Sequence, residues 1–229
     1  MTMAIEIGLE VGAKRTFASA LEWPGWSRGA RDESMAIEAL ERYRPRYVRA
    51  LGRLADALEH SSKARELVVV DRVPGGAGTD FGVPSHVMDR DREPVDETEL
   101  DRLIDILSAA WTAFDEAARE AIGVELRKGP RGGGRDLDRI VDHVLEAERA
   151  YLVEIGGQNR TLQDASPGAR LADVRERVRT SLAARVRGEP PPPSRRRAPL
   201  WPVRYFARRS AWHALDHAWE IEDRATPAG

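Results

Sequence analysis

The chain has 229 residues, and its 36 Lys and Arg against 38 Asp and Glu leave a formal net charge of −2, with no overall field to draw it onto nucleic acid or an anionic membrane. Its 41% hydrophobic residues can build a real core in one large domain or two small ones, and the absence of Cys excludes a thiolate nucleophile, a disulfide and a Cys-rich zinc site. No apolar run approaches the roughly 20 residues of a spanning helix, and Met1-Thr-Met-Ala-Ile-Glu6 lacks the basic and apolar regions of a signal peptide, so a soluble, cytoplasmic protein is expected.

In chain order, Ile5 to Val11 alternates apolar with polar or small residues, Gly12-Ala13 can turn, and Thr16 to Leu21 resumes in extended style, which predicts a hairpin. Trp23-Pro-Gly-Trp26 breaks it. From Glu33 to His60, apolar residues at helical spacing (Met35, Ile37, Leu40, Tyr43, Tyr47, Leu51, Leu54, Leu58) predict a helix that Pro45 kinks or splits. Glu66 to Val73 is β-branched and short and suits a buried strand. The order strand, strand, helix, strand makes residues 1–75 a small α+β unit. Phe17-Ala-Ser-Ala-Leu-Glu-Trp-Pro-Gly-Trp-Ser-Arg-Gly29, followed by Asp32-Glu33 and Ala36-Ile-Glu-Ala-Leu40, resembles the HicB antitoxin family. That resemblance implies a small sheet packed on one helix, and a unit of a kind that binds a protein partner.

Residues 76–94 read as a linker, because Gly, Pro, Ser and Asp recur from Pro74 to Pro94. The glycines follow a strand, yet neither a Lys-Ser/Thr pair nor an immediate helix is expected after them, so a phosphate loop is not indicated. Gly129-Pro-Arg-Gly-Gly-Gly134 reads as a second flexible joint. His60 and His86 are taken as surface or satisfied core residues.

Beyond the linker every pattern is helical: Glu97 to Ile122, Asp136 to Ile155, Leu171 to Val186, and a last helix opening near Pro202 and running to about Arg224. Gly188-Glu-Pro-Pro-Pro-Pro193 predicts a stiff crossing before the last of these. Arg195-Arg-Arg197 is the one strong basic cluster and, without interleaved aromatics, reads as a solvated loop. Four amphipathic helices over residues 95–229 predict a four-helix bundle, so the chain as a whole is mainly α.

His213 and His217 stand one turn apart on the last helix, where two imidazoles can close on one divalent metal, and His143 on an earlier helix can supply a third nitrogen. Three such ligands accept zinc, nickel, iron or copper. His143 in Val141-Asp-His-Val-Leu-Glu-Ala-Glu148, with the His-x-x-x-His pair followed by Ile221, resembles the DinB-like, or YfiT-like, metal-binding bundle family. The resemblance covers about residues 95–225 and implies a divalent metal held by His143, His213 and His217. It further implies a metal-dependent transferase acting with a low-molecular-weight thiol, the metal lowering the thiol's pKa, or a hydrolase. The thiol would be brought in from outside, since the chain has none.

Glu148 falls near the middle of its helix's apolar face, where a carboxylate needs a metal, an imidazole or an Arg; it is the candidate general acid or base. Arg209, one turn before His213, could take an anionic group of a substrate or pair with Asp216 or Glu148. Asp216 and Glu220 could orient the imidazoles. The alternative is a binding or regulatory protein whose HicB-like unit docks a partner and whose bundle is a scaffold. Bundles of this kind often pair through helix faces, which leaves a homodimer open.

Overall fold

The computed structural model describes residues 4–59, 66–128, 134–160, 162, 165–193 and 198–225. His60, the Arg195 to Arg197 cluster and most of the second glycine joint lie outside the described residues. The described part is mostly helical, with one four-stranded sheet.

The sheet has the order β3-β2-β1-β4, with β1 Ile5–Val11, β2 Thr16–Ala20, β3 Ser27–Ala30 and β4 Leu67–Pro74. The hairpin β1-β2 pairs Ile7 with Ala20 and Leu9 with Ala18, and β4 joins β1 in parallel. Strand β3 has no apolar alternation to announce it. It forms because Ser27 donates to Ser19 (2.7 Å) in a buried cross-strand pair, and because Gly29 leaves room for the Phe17 ring, 2.7 Å from where a Cβ would stand. The unit is therefore strand, strand, strand, helix, strand. Strand β4 is an edge with alternating exposure, Val68 and Val70 facing outward, rather than a fully buried strand.

Helix α1, Glu33–Leu51, opens on an Asp32 cap that accepts from the Met35 amide, and lies across β2 and β3. It continues through Pro45. The proline sits on the exposed side, so the Glu41 carbonyl it leaves without an amide can turn to water. The break comes instead at Gly52, whose φ of +53° ends the helix before a 3-10 turn and the short α2, Asp56–Glu59. The Trp23-Pro-Gly-Trp26 turn is pinned to α1: Trp26 donates its indole N–H to the Leu40 carbonyl (2.8 Å) and stacks on Tyr47, whose hydroxyl donates to the Pro24 carbonyl (2.9 Å).

The segment read as a linker carries structure. A short helix, α3 Ala77–Phe81, follows Gly76 directly, although the Lys-Ser/Thr pair of a phosphate loop is absent. Fully buried Glu10 of β1 holds this segment, accepting from the Thr79 hydroxyl, the Ser85 amide (3.1 Å) and the His86 amide (3.0 Å), with the His86 ring nitrogen 2.9 Å away. These hydrogen bonds lower the Glu10 carboxyl below its ordinary range although burial pushes the other way. His86 is thus a satisfied histidine.

Four long helices follow: α4 Glu97–Glu120, α5 Leu137–Glu154, α6 Pro167–Val186 and α7 Val203–Ala225. Helix α6 begins a turn earlier than its apolar spacing implies, because Ser166 caps the Ala169 amide and Pro167 fits the first turn. The helices close a ring in which α4 touches α7, α7 touches α5, α5 touches α6 and α6 touches α4. No described helix is long and apolar enough to cross a membrane.

Helix α7 also belongs to the sheet unit. Trp212 meets Phe17 edge-on at 6.0 Å, Trp219 packs on Tyr43 at 5.1 Å, and Arg28 pairs with Asp216 at 2.8 Å. Gly25, at a φ of +93°, lets the turn approach Ala211 and Leu215, where a Cβ would stand 2.9 Å from Leu215. Buried Arg208 donates to Asp91 (Nε 3.2 Å, Nη2 2.5 Å) and to the His86 carbonyl (3.0 Å), tying α7 to residues 86–91. Asp91→Ala strands that guanidinium, and a buried charge left alone costs about 3–5 kcal/mol. Urea unfolding at neutral pH is expected to show a loss of that order.

Candidate metal centre

The four-helix ring places α5 beside α7 and so brings His143 to His213, 70 residues further along the chain, and to His217 beyond it. One nitrogen from each of His143, His213 and His217 lies within 4.8 Å of the others. The Nε2 atoms of His143 and His213 are 3.3 Å apart. Two nitrogens each about 2.0–2.1 Å from one tetrahedral ion stand roughly 3.3–3.4 Å apart, so this pair has the spacing of a shared zinc-like ion. Their ring centroids are 4.6 to 5.1 Å apart, and the face is closed by Tyr151, 5.7 Å from His213.

The imidazoles are differently supported. His217 uses Nδ1 toward Glu220 (2.9 Å), which leaves Nε2 as the ligand atom, and Arg224 holds the other Glu220 oxygen at 2.7 Å. A carboxylate on the far ring nitrogen is the arrangement that orients metal-binding histidines. The hydrogen bond from His217 holds the Glu220 carboxyl below its ordinary range, against burial and with help from Arg224. Arg224 also donates to the carbonyls of Arg127 (2.7 Å) and Arg135 (2.6 Å), so the chain entering α5 is tied to the same relay. The Nδ1 of His213 is buried with no hydrogen-bond partner among the described residues.

Burial lowers both His143 and His213 below the ordinary imidazole range, His213 well below it, and the charges of His217, Arg135 and Arg209 add to the effect. Imidazoles kept neutral are the form a metal requires.

The remaining candidates separate. Glu220 stands where a supporting carboxylate is needed. Asp216 does not: its carboxylate is taken by Arg28 of β3, on the side of α7 that faces the sheet. Glu148 is buried at the centre of the bundle, as its wheel position predicts, but both its oxygens go to Arg175 of α6 (3.0 and 3.1 Å), which also pairs with Asp115 at 2.7 Å. Burial raises the Glu148 carboxyl, with Arg175 opposing. The partner is an Arg, as one reading of the sequence allows, though not Arg209, and the candidate acid or base is not joined to the imidazoles. Arg175 was hidden by its place in a run of arginines on α6.

Arg209 is buried beside two aromatic rings, 5.0 Å from the Tyr151 ring centre and 4.7 Å from that of Trp212, and hydrogen-bonds the Tyr151 hydroxyl.

No family model, curated protein or solved structure matches the chain. The chemistry of the site therefore carries the functional reading.

Linkage gives that chemistry a pH signature. His213 has a folded value below its unfolded value near 6.5, so the unfolded chain takes up the proton first as pH falls. The stability present above about pH 6.5 is lost below it. Chelator-treated protein is expected to lose resistance to denaturant between pH 7 and pH 5, and His213→Asn is expected to flatten that slope.

Proposed function

We propose that the chain binds one divalent metal ion, zinc, nickel or iron, through His143, His213 and His217, and that it acts as a metal-dependent transferase with a low-molecular-weight thiol. The observation that carries this reading is the 3.3 Å approach of two imidazole nitrogens from different helices, with a third imidazole beside them held by a carboxylate. The resemblance to DinB-like bundles supports the thiol chemistry, and the thiol would come from outside a chain that has no cysteine of its own.

When bound, such an ion lowers the pKa of a coordinated thiol or water and so supplies a nucleophile at neutral pH. The chain's residues do the rest. Burial favours the neutral form of the His143 and His213 imidazoles, and Glu220 with Arg224 fixes the His217 ring in one orientation. Tyr151 and Trp212 wall the site, and Arg209 supplies positive charge beside it. A hydrolase using the same three ligands is the near alternative, with water in the place of the thiol.

Elemental analysis of freshly purified protein is expected to give one metal per chain, lost in His217→Ala. By competition with a chelator, Glu220→Gln is expected to weaken metal binding by about 10–100-fold. Asp216→Asn is expected to leave it unchanged, since that carboxylate serves Arg28. A protein with no stoichiometric metal and with stability indifferent to His217 removes the metal reading. With metal present, thiol consumption against a panel of electrophiles separates transferase from hydrolase.

A further inference from the structure

Three arginines of the described chain are buried, and they are not alike. Arg175 is met by Glu148 and Asp115, and Arg208 by Asp91. Arg209 is 8% exposed and has no carboxylate among the described residues. The two acids that the sequence offered it are used elsewhere, Asp216 on Arg28 and Glu148 on Arg175. What it has instead are the rings of Tyr151 and Trp212 and a hydrogen bond to the Tyr151 hydroxyl, while its Nη1, like that of Arg208, is enclosed with no acceptor among the described residues.

Two neighbouring donors share this condition. The indole N–H of Trp212 and Nδ1 of His213 are also buried without a partner among the described residues. With Nη1 of Arg208, which belongs to the group turned toward residues 86–91, four unsatisfied nitrogens lie within six residues of α7; those of Arg209, Trp212 and His213 make a set lacking an acceptor. With the two rings and the Tyr151 hydroxyl against the guanidinium, its Nη1 is what remains for an acceptor oxygen, and a carboxylate meets such an N–H with a charge-assisted bond. Arg209 stands one turn from His213, roughly 6 Å along the axis, and Tyr151 touches both.

We propose that Arg209, with the Trp212 and His213 N–H groups beside it, is a carboxylate-binding subsite, so that the substrate of the neighbouring centre is a small organic acid. The position of its reacting end rests on the metal-site reading, whereas the subsite itself does not. A carboxylate on Arg209 would hold such a molecule by one end and direct the other toward the three imidazoles.

The test uses calorimetric titration of the full chain with benzoate, benzamide and inorganic phosphate, first with chelator present and then after loading with zinc. Saturable benzoate binding is expected in the chelated protein, with benzamide and phosphate at least 10-fold weaker. Arg209→Met is expected to lose benzoate affinity at least 10-fold, and Arg209→Lys to retain part of it. Ligand-free Arg209→Met is expected to resist urea at least as well as the parent chain, because it removes a cation that no described carboxylate meets. A guanidinium with a structural role predicts the opposite. The proposal is overturned by benzoate binding that is absent, matched by benzamide, surpassed by phosphate or indifferent to Arg209→Met. It is overturned equally if Arg209→Met unfolds without ligand while Arg209→Lys folds and binds no benzoate. Metal content measured after the zinc loading keeps the two readings apart: a chain that binds benzoate but takes up no zinc removes the metal centre and keeps the subsite, and one that takes up zinc but binds no benzoate does the reverse.

Discussion

Almost every residue of α7 from Tyr205 to Ile221 is buried, and the rest of the structure depends on that burial. A surface helix of a globular protein has one apolar stripe, and a helix covered on all sides must be enclosed by other elements. Here α4 and α5 cover it from the bundle, while β2, β3, α1 and residues 86–91 cover it from the sheet unit. The alanines Ala207, Ala211, Ala214 and Ala218 keep the helix narrow enough for both to approach, and Gly25 has no Cβ to hold the turn away from Ala211 and Leu215. The apolar residues of the two parts consequently form one connected core. The three histidines inherit their geometry from this arrangement. Two lie on a helix packed from every direction, and the third lies on a helix that touches it.

Much of this was legible in the sequence, because its signals were periodic. Spacings of three and four located α4, α5 and α7, and the His-x-x-x-His interval with an earlier His pointed to one site on two of those helices. Strand β3 was not legible, since Ser27, Arg28, Gly29 and Ala30 hold their place through a buried serine pair and a missing Cβ rather than through apolar alternation. Pro45 misled in the other direction. Its cost falls on an exposed carbonyl, whereas the actual break required the positive φ of Gly52. Among residues 76–94, turn-forming residues suggested a loose joint, and the buried carboxylate that holds them sits far away on β1.

The site was less legible than the fold for a related reason. A helical wheel assigns a side chain to a face and says nothing of which partner reaches it first. Asp216 and Arg209 share a flank of α7, yet Arg28 arrives from the sheet to take the aspartate. Glu148 was correctly marked as needing a partner, but Arg175 comes from a helix whose arginines all look alike in sequence. Only Glu220 kept its expected place, because its contact with His217 is local to the helix, three residues apart, and needs no tertiary competitor to be absent.

The adjacent pair Arg208 and Arg209 shows how the same residue type is put to two uses. Successive side chains on a helix diverge by about 100°, so one points to residues 86–91 and the other to the face shared with α5. Arg208 finds Asp91 there, so its charge is met within the chain although its Nη1 too lacks a partner among the described residues. Removing a charged group from water costs several kcal/mol even after relaxation, whereas a cation over an aromatic face returns about 0.5–2 kcal/mol. The two rings around Arg209 therefore leave a deficit that no described carboxylate of the protein offsets. A fold that met this deficit on one arginine and left it on the next, beside the three imidazoles, has kept a positive charge in reserve where an acidic ligand can use it.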